Sequence, residues 1–154
     1  MGTKYEGDEK DVQTLNTYIK FMRAYESMNA RLVRHLSEHS LTQSQFGTLE
    51  VLHHLGPLNQ RTIGEKLLKS GGNITLVIDN LERQGWVERR RDRKDRRSLV
   101  IHLTPKGRTF ITDLFPKHLE KIREEFSVLS DHEMDDLSTV CLKLGNAGRR
   151  EEES

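Results

Sequence analysis

Between Glu88 and Arg97, seven basic side chains (Arg89, Arg90, Arg91, Arg93, Lys94, Arg96 and Arg97) stand against three acids, Glu88, Asp92 and Asp95. Strand-forming runs flank them, WVERR before and SLVIHL after. The segment therefore reads as a β-hairpin whose tip carries charge where Gly, Asn or Pro is usual. An exposed tip of arginines is costly by self-repulsion unless a polyanion lies opposite. A nucleic-acid backbone matches such a narrow basic ribbon.

Other groups capable of chemistry are scattered. His35 and His39 sit at i and i+4 on one helical face, and His53 and His54 lie near the end of another helix. Neither set has acid or cysteine partners at the spacing of a metal site, so no metal and no cofactor is expected. Cys141 falls on the apolar stripe of the last helix and reads as a small buried hydrophobe. No nucleophile–base pair or phosphate-binding loop stands out, which argues against an enzyme.

These residues must be positioned by a mainly helical chain. Apolar residues from Val12 through Leu15, Ile19, Met22, Tyr25, Met28 and Leu32 to Leu36 recur at steps of three and four, giving one face of a long helix over 11–39. Thr42 and Gln45 have capping-box spacing and open a second helix that Gly56-Pro57 stops. Asn59 can cap a short third helix. A break at Ser70-Gly71-Gly72-Asn73 starts a fourth helix over 71–84, with Ile74, Val77, Ile78 and Leu81 inward and Gly85 as its left-handed end. After the hairpin, Thr104 and Pro105 begin a fifth helix in which Pro116 should kink the axis or remove a bond. Ser130 and Glu133 form a second capping box ahead of a last helix carrying Met134, Leu137, Cys141 and Leu144.

At 154 residues the chain can bury one good core. A hydrophobic fraction of only 34% fits a helical protein that completes its core by dimerising. The net charge of +1 averages a basic hairpin with the acidic stretch 120–136 and Glu151 to Glu153, and the local field is what steers binding. A single cysteine fits a reducing compartment. No apolar run approaches a membrane span, and the opening MGTKYEGDEKD lacks a signal-peptide core, so a cytoplasmic protein without a membrane partner is expected.

Two short helices joined by a tight break and followed by a hairpin make a winged helix-turn-helix, with 71–84 as the reader of the major groove. Its outward face presents Asn73, Thr75, Leu76, Asn80 and Arg83, suited to base edges, a thymine methyl and nearby phosphates. Gly71 and Gly72 let exposed N–H groups approach a phosphate, beside Ser70. Gln60 and Arg61, at the start of the third helix, join the candidate DNA-contacting set, as do Arg91, Arg93, Lys94, Asp95, Arg96 and Arg97 of the wing. The tip can place an arginine in the adjacent minor groove. The first and last helices lie outside a minimal winged-helix core, and their apolar stripes call for a homodimer partner. Two recognition helices related by a twofold then meet a pseudo-palindromic operator. A rival reading is a winged-helix module that docks an acidic protein through its basic tip.

The segment GWVERRRDRKDRRSLVIHLTPKG, together with this helix order, resembles the MarR family of transcriptional regulators. The likeness rests on Gly85 after the recognition helix, Asp95 to Arg97 in the wing, and Leu103-Thr104 with Gly107 behind it. It implies that Arg97 enters the minor groove with Asp95 as its positioning partner. Arg96 remains a competitor, because Asp92-Arg93 and Asp95-Arg96 repeat. The resemblance further implies one domain over 1–154, with 42–103 as the DNA-binding lobe and 11–39 and 104–147 as interlocking dimerisation helices. It also implies a repressor released by a small effector, in many relatives phenolic or an aromatic carboxylate. The pocket for such an effector would draw on Tyr18, Met22, Tyr25, Phe46 and His53.

Overall fold

Helix starts in this chain are set by side chains that catch otherwise unpaired backbone N–H groups. The Thr42 hydroxyl accepts from the Gln45 N–H at 3.1 Å, and the Gln45 side-chain oxygen accepts from the Thr42 N–H at 3.0 Å. Ser130 and Glu133 repeat the exchange at 3.3 and 2.8 Å. The bonds donated by the Ser130 N–H and hydroxyl hold the Glu133 carboxyl below its ordinary pKa. Asn59 caps the third helix through the Thr62 N–H at 2.8 Å.

The computed structural model describes residues 2–69 and 71–150. In chain order the elements are α1 (Glu9–Glu38), α2 (Gln43–Leu55), β1 (Leu58–Asn59), α3 (Gln60–Lys66), α4 (Gly71–Arg83), β2 (Val87–Arg91), β3 (Leu99–Leu103), α5 (Pro105–Phe126) and α6 (Asp131–Gly145), then a 3₁₀ turn, Ala147–Arg150. This is the mainly helical winged helix-turn-helix that the periodicity predicts. β1 is an addition to that reading. It pairs antiparallel with β3 through Leu58↔Ile101 and Asn59↔Val100, so the hairpin is two strands of a three-stranded sheet ordered β1-β3-β2. Pro116 lies inside α5, which continues through it to Phe126.

The chain packs as two compact units, one up to Leu119 and the other from Glu120 onward. In the first, Leu49 of α2, Ile63 of α3, Ile78 and Leu81 of α4, Ile101 of β3 and Ile111 of α5 are completely buried in one core. The α4 end is a Schellman turn: the Trp86 N–H donates to the Leu81 carbonyl at 3.0 Å and the Gly85 N–H to the Glu82 carbonyl at 2.9 Å. Gly85 sits at φ +77°, as its left-handed role requires. The start of α5 is bonded to this turn. The Lys106 ammonium donates to the Gln84 carbonyl at 2.7 Å, the Thr104 hydroxyl to that of Gly85 at 2.6 Å, and the Thr104 N–H to that of Trp86 at 3.1 Å. A Cβ on Gly107 would stand 1.9 Å from the Trp86 carbonyl oxygen, so only glycine permits this approach.

In the second unit α6 buries no residue at all. Cys141 is exposed, which corrects its reading as a buried hydrophobe. The apolar stripe is present on α6, but it is left uncovered among the described residues.

Candidate nucleic-acid interface

The candidate surface is built from the first turn of α4, the start of α3 and the β2–β3 tip. Ile74, Ile78 and Leu81 anchor α4 in the core, and the helical period then turns Asn73, Thr75 and Leu76 to solvent. Thr75 is oriented twice over. Its hydroxyl donates to the Gly71 carbonyl at 2.9 Å and accepts from the Gln60 amide at 2.5 Å, which ties α3 to the start of α4. Arg61 pairs with Glu65 at 2.9 Å on an exposed face. A groove of about 330 Å³ opens between these helices, lined by Gln60, Arg61, Glu65, Lys69 and Gly71 among others. A Cβ on Gly71 or Gly72 would meet nothing within 4 Å among the described residues. Further along α4, the half-buried Asn80 accepts from the Arg83 guanidinium at 3.2 Å, coupling two of the predicted contact residues. Ser70 lies outside the described residues.

The wing tip is folded by its aspartates. The Asp92 carboxylate accepts from the Lys94 N–H at 2.8 Å, and the Asp95 carboxylate accepts from the Arg97 N–H at 3.0 Å. These are two Asx turns in succession. Backbone bonds from Asp92 to Ser98 at 2.9 Å and from Ser98 to Asp95 at 3.0 Å close the loop. Asp95 meets Arg97 at its backbone N–H and not at its guanidinium. Arg91 donates to the Arg96 carbonyl at 3.3 Å, so the end of β2 also holds the tip backbone. The side chains of Arg93, Lys94, Arg96 and Arg97 are exposed and have no carboxylate partner among the described residues.

The seven basic groups are therefore not equivalent. Arg90 pairs with Glu88 on its own strand. Arg89 turns inward, its side chain 20% exposed, with Nη2 2.6 Å from Asp79 and Nη1 2.6 Å from Glu82 of α4. Its backbone N–H also donates to Glu82 at 3.2 Å. Burial alone would lower the Arg89 pKa, but the hydrogen bonds and charges of Asp79 and Glu82 outweigh it and raise the net value. Sequence reasoning missed this triad. Its signal was present: Val87 and Arg89 share one strand face, and Asp79 and Glu82 are one helical turn apart.

The predicted effector residues are dispersed. Tyr18 and Tyr25 are exposed on α1, and Met22 lines a shallow groove there with Arg23, Glu26 and Ser27. Phe46 belongs to the core and packs on the His118 ring at 4.5 Å. The Nδ1 of His53 is buried without a hydrogen-bond partner among the described residues. His35 and His118 place their Nδ1 atoms 3.0 Å apart, and burial, followed by the charges of His35 and His39, pushes the His118 pKa down. No group of three or more metal-ligating side chains occurs among the described residues.

Comparison with known proteins agrees with this geometry. The MarR family model matches residues 41–99, the helix-turn-helix and most of the wing. YkoM of Bacillus subtilis, an HTH-type transcriptional regulator, is 38% identical over 138 residues, covering 90% of each chain. Among solved structures, Sco3205 of Streptomyces coelicolor, a MarR family transcriptional regulator in complex with DNA, has a TM-score of 0.83 at 17% identity, over 94% of this chain and 92% of that one. BpsR of Bordetella bronchiseptica, whose DNA binding is regulated by 6-hydroxynicotinic acid, has a TM-score of 0.80 at 21% identity, over 94% and 99%. No helix among the described residues is long and apolar enough to cross a membrane. With a regulator matched along nine-tenths of its length and the family model laid over its helix-turn-helix, the chain belongs to the MarR family of DNA-binding transcriptional regulators.

Proposed function

We propose that this protein is a homodimeric repressor that grips a pseudo-palindromic operator with two copies of α4 and two wings, and releases it when a small aromatic effector binds. The observation that carries the reading is the wing tip. Four cationic side chains stand exposed on a loop stiffened by two carboxylates, in the hairpin that follows α4. In this assignment Asn73, Thr75 and Leu76 read base edges in the major groove. Gln60, Arg61, Gly71, Gly72 and Arg83 meet phosphates. Arg97, with Arg96 as its alternate, enters the minor groove, while Arg91, Arg93 and Lys94 neutralise the flanking backbone.

Two features support the finer parts. Apolar surface is left open in the second unit, including a groove of about 570 Å³ lined by Ile122, Phe126, Leu129 and Met134, as a dimerisation region requires. The orphaned His53 Nδ1 offers a partner for the hydroxyl or carboxylate of an aromatic effector. The fold-mate regulated by 6-hydroxynicotinic acid is a precedent for that ligand class.

The test is anisotropy with operator duplexes selected from a random pool. Arg97→Ala should weaken binding by about 1–3 kcal/mol, roughly 5- to 150-fold, in a chain that still folds. Affinity should also fall steeply with salt. An unchanged affinity would remove the wing from the interface, and binding of an acidic protein in place of DNA would favour the docking-module reading.

A further inference from the structure

Recognition helices in DNA-binding proteins rarely gain from acidic side chains, since each carboxylate repels the phosphates it approaches. α4 carries two, Asp79 and Glu82, on the side that faces the wing. Both are occupied by one residue. The Arg89 guanidinium reaches Asp79 and Glu82 at 2.6 Å each, and the Arg89 N–H adds a third bond to Glu82 at 3.2 Å. Its planar fork is suited to two carboxylates at once, which an ammonium group is not. Arg89 is the least exposed member of the triad and lies opposite the buried Ile101 of β3, so its guanidinium is held away from any ligand at the tip.

We infer that Arg89 is a positioning residue: it fixes the angle between the wing and the recognition helix, so that the minor-groove and major-groove contacts engage the same DNA together. The inference rests on the wing contact proposed above. Val87 anchors the base of β2 in the core, and beyond it the side-chain bonds from β2 to α4 among the described residues converge on Arg89. Contacts held in one rigid frame act cooperatively, and loosening the frame uncouples them.

The experiment is a double-mutant cycle on the full chain, using the selected operator duplex and a scrambled duplex, with melting curves to verify folding. Arg89→Met should weaken operator binding about tenfold and scrambled-duplex binding distinctly less, because the two uncovered carboxylates repel both duplexes alike while only the operator loses the coupled wing and helix contacts. In that background Arg97→Ala should cost much less than it does in the native chain.

A second variant approaches the strut from the helix side and serves if Arg89→Met fails to fold. Asp79→Asn with Glu82→Gln removes two negative charges beside the DNA, which by charge alone would tighten binding. Positioning by Arg89 requires the reverse for the operator, a several-fold loss, while the scrambled duplex binds as well or better. An undiminished operator affinity in either variant overturns the inference, as does an Arg97→Ala cost that stays constant across backgrounds. If Arg97→Ala is silent in the native chain, the wing contact itself fails and the inference falls with it.

Discussion

The winged lobe and the last helix treat apolar side chains in opposite ways. In the lobe, Ile63, Ile78, Leu81 and Ile101 come from three elements and are fully buried within a single chain. In α6, Leu137, Val140 and Leu144 follow an equally regular helical pattern and are all exposed, Val140 at 52%. Periodicity is thus the same signal in both places, but it reports a face and not what covers that face. One region buries its apolar face within the chain, and the other leaves it exposed.

Cutting a cavity in the lobe gives the largest expected effect. Ile78→Ala removes a fully buried side chain from α4 and should cost about 2–5 kcal/mol in urea denaturation. A loss below about 1 kcal/mol would show that the lobe is not the self-sufficient half. Leu137→Asp with Val140→Asp on α6 should act on association instead. Sedimentation should show the proposed dimer dissociating, with the stability of the separated chain altered by only about 0.5 kcal/mol, as for surface positions. Unchanged association would take α6 out of the proposed interface.

A smaller effect distinguishes the regions by pH. His118 is buried in the first unit, and its pKa lies below the ordinary imidazole value. The folded state then binds fewer protons than the unfolded chain, so this stability is fully present above about pH 6.5 and is lost as pH falls toward the depressed value. The slope is at most about 1.4 kcal/mol per pH unit for one group. His118→Phe should flatten it in melts between pH 5 and 7.5. A slope that survives the substitution would assign the pH dependence elsewhere.

Local chemistry was the most legible part of this chain. Thr42, Asn59, Thr104 and Ser130 cap helices because an oxygen two or three residues from a free N–H needs nothing else. Gly85 ends α4 for a similarly local reason. Pairings between distant elements were harder to see. β1 is two residues long, too short to show alternation, and it exists only because β3 presents an edge to Leu58 and Asn59. The basic run read as a uniform ribbon because charge counting ignores direction, whereas strand alternation turns Arg89 toward α4. Phe46 looked like a pocket wall, yet aromatic residues at helical spacing serve a core equally well, and it packs there against His118.

The three bonds at the start of α5 have a mechanical consequence. Gln84, Gly85 and Trp86 are consecutive, and each gives its carbonyl to Thr104 or Lys106. The Trp86 ring also lies flat on Phe110, with centroids 4.3 Å apart and an interplanar angle of 13°. Sliding one segment past the other would break all three bonds together, at about 1 kcal/mol net for each, and would separate the stacked rings. The junction is built as a weld in place of a hinge, so the start of α5 and the end of α4 should move as one piece. Because Trp86 is the only tryptophan in the chain, its emission is a built-in gauge of strain at that joint.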